Sequence, residues 1–278
     1  MGKTEPFFSR IDKSFDEAMT PGYDLVLQVT EKSCAYSIID HDKNRYIALE
    51  AYDISLSSLA EQSHWMKNPF RSVHVIVENN RSTLIPEALF EESEKETYLR
   101  FSMELLDNER IRYDKVGRIE VVNIFGISEN LENTINANFP DAGICHISTM
   151  LTETIWLNFK NLISDKRIFI FISQTDFSLQ IFDRKQLIYS NAFHFRAPED
   201  VVYFVIFVME QLNLNPEEIP VTLLGAIEKS SPHYELLFRY IRHIDFATRN
   251  EAMHYSHVFD DIPGHAWYAL LNPVLCGS

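Results

Sequence analysis

Ten histidines and forty carboxylates supply ample side chains for metal or acid–base chemistry, so spacing decides what they can do. His254, His257 and His265 stand close to Asp260 and Asp261, residue types that hold zinc or a transition metal. His254 and His257 are three apart and fit one helix face, but Tyr255, Val258 and Phe259 mark a partly buried segment. The spacing matches no closed zinc pattern, and no metal is expected. Nuclease chemistry on two metal ions needs several clustered carboxylates. Asp176 and Asp183 fall at the two ends of one strand-like run and cannot readily share an ion. No Ser or Cys occupies a nucleophile-elbow context, which leaves a hydrolase unsupported. Glycine narrows the field further, with 8 in 278 residues and the closest two, Gly117 and Gly126, nine apart. A G-x-G-x-x-G turn, a P-loop and a kinase glycine loop are excluded, since each needs closely spaced glycines to let backbone approach phosphate.

The elements that must position any site follow from apolar runs and the turns between them. Residues 1–21 are polar and end in Thr20-Pro21-Gly22, which reads as a loosely held entry segment covering 1–22. Leu25-Val26-Leu27-Gln28-Val29, Ala35-Tyr36-Ser37-Ile38-Ile39 and Tyr46-Ile47-Ala48-Leu49 are three β-prone runs, joined by Thr30-Glu31-Lys32-Ser33 and by a turn at 40–44. A second meander comprises Ile168-Phe169-Ile170-Phe171-Ile172, Ser178-Leu179-Gln180-Ile181-Phe182 and Leu187-Ile188-Tyr189-Ser190, with turns at Ser173-Gln174-Thr175-Asp176 and 183–186. Aligning Asp40 with Asp183 sets Leu25 on Ile168. With two residues removed from the first hairpin, Ile47 falls on Ile188 and Ala51 on Ala192.

After the second meander the pattern predicts a helix over 198–212, opened by Pro198-Glu199-Asp200, a strand at 221–224, a helix over 232–242 and an irregular tail with a last strand and helix. The first half predicts a helix over 55–66, a strand at 119–125, a helix from Ser128, a strand at 143–147 and a helix over 150–160. The order is βββαβα in each half once a block at about 70–115 is set aside. That block contains Val73-His74-Val75-Ile76-Val77 and the acidic stretch from Glu87 to Glu104, and it reads as a small inserted subdomain. The expected architecture is α/β, with a first domain over 23–160 and a second over 161–278.

Composition bounds the rest. A content of 46% apolar residues is that of a packed globular chain, and 25 basic against 40 acidic residues give a net charge of −15. So acidic a surface repels phosphates and anionic lipid, so nucleic acid and membrane faces are not expected partners. The longest apolar stretch, 201–209, is nine residues, far below the roughly 20 of a membrane-spanning helix. It reads either as a partner surface or as a helix buried on most sides. Glu91-Glu92-Ser93-Glu94-Lys95-Glu96 reads as a solvated helix start, or as a surface for a basic partner. Three cysteines, Cys34, Cys145 and Cys276, lie far apart without C-x-x-C spacing or a preceding signal peptide, and a reducing cytoplasm is expected.

Two tandem βββαβα units, one with an insertion, resemble the actin-like ATPase fold, in which two ribonuclease-H-like domains face each other across a nucleotide cleft. Thr83-Leu84-Ile85-Pro86-Glu87-Ala88-Leu89-Phe90, the stretch 197–214, and Leu223-Leu224-Gly225-Ala226 followed by Tyr240-Ile241-Arg242 are similar to an uncharacterised bacterial family of Bacteroidetes type assigned that fold. Its distant relatives would be the pilus-assembly and cell-division actin homologues.

The resemblance implies where a nucleotide would sit. Active members carry an Asp-x-Gly turn between the first two strands of each meander, the Asp acting through magnesium while backbone amides hold phosphate. Here those turns read Thr30-Glu31-Lys32-Ser33 and Ser173-Gln174-Thr175-Asp176, both without glycine. The adenosine site needs a Gly-Gly pair where this chain has Gly225-Ala226. Thr30, Glu31, Lys32, Ser33, Gln174, Thr175, Asp176 and Gly225 are thus the candidate cleft residues. Lys32 would serve as the compensating cation of a degenerate phosphate site, and Glu228 and Lys229 would flank Gly225. The same residues also read as the ordinary polar residues that hairpin turns select, and Gly225 as a residue that simply ends a strand. The expectation is a cytoplasmic interaction or scaffold protein without catalytic residues or a cofactor and with an unknown protein partner. The alternative is a switch that binds ATP and magnesium; a ribonuclease-H-like nuclease is weaker still.

Overall fold

The computed structural model describes residues 4–272, and Cys276 lies outside them. The chain opens with β1 (Phe8–Ile11), then runs through the meander β2 (Tyr23–Val29), β3 (Cys34–Asp40) and β4 (Arg45–Tyr52). Next come α1 (Leu56–Gln62), capped by the Ser55 hydroxyl, and β5 (Ser72–Val77). A piece with its own sheet follows: β6 (Ser82–Pro86), α2 (Lys95–Ser102), β7 (Glu109–Val116) and β8 (Val121–Ser128). The main body resumes with α3 (Glu129–Asn138), β9 (Gly143–His146) and α4 (Ile147–Phe159). Ser128 ends β8 and caps α3, accepting from the Leu131 amide, a contact worth about 1 kcal/mol.

The second half holds β10 (Arg167–Ile172), β11 (Asp176–Asp183), β12 (Gln186–His194), α5 (Pro198–Gln211), β13 (Val221–Gly225), α6 (Pro232–Tyr240) and β14 (Ile244–Phe246). Pro198 opens α5, while the Asp200 carboxylate accepts from the Arg196 and Ala197 amides. The chain then returns to the first half through β15 (His254–Tyr255), parallel to β4, and the buried α7 (Tyr268–Leu271).

Three sheets result. The largest runs β1-β4-β3-β2-β5-β9, with β15 also on β4; the second runs β12-β11-β10-β13-β14; the third is β6-β8-β7. From β4 to β9 and from β12 to β14 the order and strand directions agree, two antiparallel pairings followed by two parallel ones. A bulge falls at matching places, leaving Ile47 in β4 and Ile188 in β12 without an opposite residue. The two large sheets share a core in which Val26, Leu49 and Ile76 meet Phe169, Phe171, Phe182, α4 and α7. The outer faces have their own cores, with Leu25, Leu27, Val75 and Ile135 in the first and Ile170, Leu179, Val205 and Leu223 in the second.

Several expectations change. The entry segment is tied down rather than loose. Phe8 pairs with Ala51 and packs its ring 4.9 Å from Trp267, while the Ser9 hydroxyl donates to Glu50. Val73-His74-Val75-Ile76-Val77, read as part of the inserted block, is β5 of the largest sheet, parallel to β2. The strand expected at 119–125 is instead the centre of the small sheet, so the piece outside the main order spans 82–128 and not 70–115. The run 201–209 is a helix segment buried on most sides, with Val201, Val202, Val205, Val208 and Met209 buried, while Tyr203 and Phe207 face solvent. Among the described residues no helix is long and apolar enough to cross a membrane.

Candidate functional site

The turns joining β2 to β3 and β10 to β11 lie at the strand ends where β5 and β13 also finish, since Val29 pairs with Val77 and Ile172 with Gly225. The first turn is closed by its own hydroxyls. Thr30 Oγ1 accepts from the Lys32 and Ser33 amides at 3.1 and 2.9 Å, and the Thr30 amide donates to the Ser33 carbonyl. Two amides are thereby turned inward, leaving the Glu31 and Lys32 side chains exposed.

The second turn is held across to the first half. Asp176 Oδ1 accepts from Asn80 Nδ2 at 3.0 Å and lies 3.3 Å from His194 Nδ1, and its Oδ2 accepts from the Thr175 hydroxyl at 2.7 Å. The Ser173 amide and hydroxyl both donate to the Asp176 carbonyl, and Gln174 is exposed. These contacts fix the orientation of the Asp176 carboxylate and tie the second turn to Asn80 of the first half.

Between the two turns sits Glu78, which sequence reasoning did not single out. Its amide donates to the Val29 carbonyl at 2.8 Å and its carboxylate accepts from Gln28 Nε2 at 2.7 Å. Burial pushes the Glu78 carboxyl above its ordinary value, against hydrogen bonds from Gln28 and Ser173, and the nearby Asp176 charge pushes the same way as burial. The signal was its place directly after Val77. Once Val73–Val77 is assigned to the main sheet, Glu78, Asn79 and Asn80 stand at the carboxyl end of a parallel strand, where α/β sheets place ligand-binding groups.

On the other side, Gly225 has φ +87°, and its amide donates to the His265 carbonyl at 2.8 Å. The Ala226 amide donates to the Ile172 carbonyl and the Ile227 amide to the Gly225 carbonyl. These three donors are occupied within the chain. Beside them lies a cavity of about 470 Å³ lined by Glu228, Lys229, Ser230, Phe246, Pro263 and His265. Glu228 and Lys229 thus lie near the end of β13, beside Phe246, Pro263 and His265.

A second polar group lies at the start of α4, beneath the small sheet. His146 Nδ1 accepts from the Ser148 amide, so its Nε2 carries the proton and donates to Asn79 Oδ1 at 3.0 Å. Burial holds its pKa down to about 3. Asp114 accepts from the His146 amide and the Thr149 hydroxyl, and burial raises its carboxyl to about 6.

The histidines near the C-terminus form no metal centre. His257 is exposed and 3.7 Å from Asp12, whereas His265 is buried with its Nε2 against the Ile227 carbonyl. Among the described residues no group of three or more His, Cys, Asp or Glu is placed to hold a metal ion. The Cys34 thiol is buried and raised to about 12, which leaves it no nucleophile.

The fold these sheets define is the actin-like ATPase fold. A Bacteroides thetaiotaomicron VPI-5482 protein of that fold and of unknown function is similar over 84% of this chain and 93% of its own, with a TM-score of 0.75 and 23% identity. The PilM–PilN type IV pilus biogenesis complex is similar over 84% of this chain and 90% of its matched chain, with a TM-score of 0.51 and 12% identity. The chain belongs to the family described as protein of unknown function DUF3822, which matches residues 12–244. No curated protein matches it.

Proposed function

We propose that the chain is an actin-like-fold protein whose cleft no longer performs nucleotide chemistry and which acts as a cytoplasmic interaction or scaffold protein, without a cofactor. The observation that carries this reading is the engagement of the candidate phosphate and adenosine groups within the chain itself. Thr30 Oγ1 takes the Lys32 and Ser33 amides, Asn80 and Thr175 take the Asp176 carboxylate, and the Gly225 amide goes to His265. Phosphoryl transfer depends on preorganised donors and a positioned metal ion, and here the donors are pledged to protein. The same reading divides the chain into two ribonuclease-H-like units that arose by duplication, 23–160 with its insertion and 161–278, after the segment 1–22. It is supported by matching strand order, matching bulges at Ile47 and Ile188, and the paired bonds Glu78 N to Val29 O and Ala226 N to Ile172 O. The PilM–PilN complex gives a precedent for a protein partner on this fold.

Thermal-shift titration with ATP, ADP and GTP, each with and without magnesium, tests the cleft. No saturable shift is expected. A ligand at 100 times its dissociation constant adds about 2.7 kcal/mol, an effect easily seen. A magnesium-dependent shift abolished by changing Lys32, Asp176 and Gly225 would instead establish the ATP-dependent switch. One observation favours that second reading, the cavity of about 470 Å³ against the end of β13.

A further inference from the structure

The strands that close the two meanders, β4 and β12, differ in what lies beyond them. In β4, residues Ala48–Ala51 pair with β1, Ile11 opposite Ala48 and Phe8 opposite Ala51. The matching residues of β12, Tyr189 to Ala192, pair with β11 on one side, and among the described residues no strand pairs with the other. The Phe195 amide donates to the Thr175 carbonyl, so antiparallel alternation turns the amides of His194, Ala192 and Ser190 outward. The Ala192 amide finds its acceptor in the Asn191 side chain instead of a strand. β12 contains no proline, lysine, arginine or acidic residue, so it lacks the charges that usually guard an edge. Its core-facing aromatic, Phe193, is half-buried, whereas the matching Tyr52 is 7% exposed. Phe193 stacks on Phe204 at 4.8 Å, and Phe204 continues through Tyr203 to Phe207 on the open face of α5.

We propose that β12 accepts an antiparallel strand from a partner protein, apolar at alternate positions and acidic towards its C-terminal end. The alternation lets one set of side chains cover Tyr189, Phe193 and Phe204, as strand addition requires. The polarity follows from charge. Arg184 and Lys185 stand at the turn where β12 begins, the end that the C-terminus of an antiparallel segment meets. The Arg184 side chain is 80% exposed and its nearest carboxylates, on Asp165 and Asp183, are 4.0 Å away. A second copy fits poorly, because pairing β12 with itself about Ser190 sets Arg184 against Arg196 between two chains of charge −15. The proposal deepens the interaction reading, but its test uses no nucleotide, so failure here leaves the thermal-shift result to be judged separately.

The probe is a fluorescein-labelled eight-residue peptide alternating valine or phenylalanine with threonine and ending in two glutamates, titrated with the full chain and read by anisotropy. Saturable binding is expected, with the newly protected amides in hydrogen exchange confined to Ser190, Ala192 and His194 on this edge. Ser190→Pro removes only an outward N–H, which edge strands tolerate, and should weaken binding at least tenfold. Arg184→Asp with Lys185→Asp should weaken it several-fold; both positions have positive φ, which Asp accepts, so this variant keeps the test alive if the proline variant misfolds. Absence of saturation, unchanged binding by folded Ser190→Pro, or protection elsewhere would overturn the proposal. So would a concentration-dependent dimer abolished by Ser190→Pro, which would assign the edge to a second copy.

Discussion

The last residues of β5 and β13 occupy matching positions and are filled in opposite ways. Both strands run parallel to the first strand of their meander, and the amide that follows each donates to the same carbonyl of that strand, Val29 or Ile172. In the first half the position is Val77, and the chain goes on to Glu78, whose carboxylate accepts from Gln28 and from Ser173 of the second turn. In the second half it is Gly225, where a Cβ would stand 2.2 Å from the Ile172 carbonyl oxygen, and the chain goes on to Ala226. One framework thus delivers a side-chain charge on one side of the cleft and close backbone packing on the other. The asymmetry teaches that neither end can be exchanged for its counterpart.

Making Gly225 resemble its counterpart, Gly225→Val, gives the largest expected effect. Positive φ and a clash with backbone that cannot swing away combine to cost about 4 kcal/mol or more. Differential scanning calorimetry should show the melting temperature lowered by about 8 °C or more. A loss below about 1 kcal/mol would mean that the end of β13 rearranges freely and that the contrast with Val77 is only apparent.

The half-buried Asp114 and the buried His146 belong to the first half, next to the small sheet, and the two groups respond oppositely to pH. Asp114 is raised to about 6, so the folded chain holds its proton when the unfolded chain, at 3.8, has lost it. Stability from this group falls as pH rises from about 4 to 6, by on the order of 3 kcal/mol. His146 is lowered to about 3 from 6.5, so its contribution is present above 6.5 and lost as pH falls towards 3. Urea unfolding of Asp114→Asn should show steeper acid loss than the parent between pH 6 and 4. His146→Asn should instead gain stability on acidification over that window. Parallel curves for all three proteins would remove the coupling and with it this distinction between the halves.

Much of this contrast was open to sequence reading, and the omissions share a physical cause. Both meanders, the helix starts at Ser128 and Pro198 and the strand ending at Gly225 are local patterns, and they stand where the runs and turns put them. Asp176 and Asp183 do lie at opposite ends of β11. What was not legible was pairing at a distance. Val73–Val77 reads locally as part of the block at about 70–115, yet its partner is β2, some fifty residues earlier. With that strand misplaced, Glu78 and Asn80 had no reason to be linked to Asp176. β1 is four residues long, too short to be distinguished from loop, and its strand character comes from β4. The fastening of Asp176 by Asn80 is a tertiary fact that no hairpin motif encodes.

A smaller effect separates the outer strands. Glu50 in β4 accepts from the hydroxyls of Ser9, Tyr36 and Tyr52, at 2.7, 2.6 and 2.6 Å, and so binds β1 to the sheet. Its counterpart in β12 is Asn191, which is exposed and whose side chain accepts from its neighbour's amide. Glu50→Ala leaves buried hydroxyls without an acceptor and should cost about 2 kcal/mol in urea unfolding. Asn191→Ala should change stability by no more than about 0.5 kcal/mol. Equal losses would show that β12 is as firmly covered as β4.

The smallest effect concerns Glu78 itself. Its carboxyl is raised by burial and by Asp176, so the folded chain holds the Glu78 proton more tightly than the unfolded chain does. The stability it contributes is therefore greatest at low pH and declines as pH rises above the ordinary glutamate value of 4.5. Glu78→Gln keeps an acceptor for Gln28 and removes the charge facing Asp176. The variant should match the parent near pH 4 and exceed it at pH 7, by about 1 kcal/mol or less, when both are unfolded in urea. The sign of that difference matters more than its size. A variant less stable than the parent at pH 7 would mean that the charge is welcomed by the cleft, as in a site that awaits a cation or a cationic partner group, and the first half would then supply a binding charge where the second supplies only backbone.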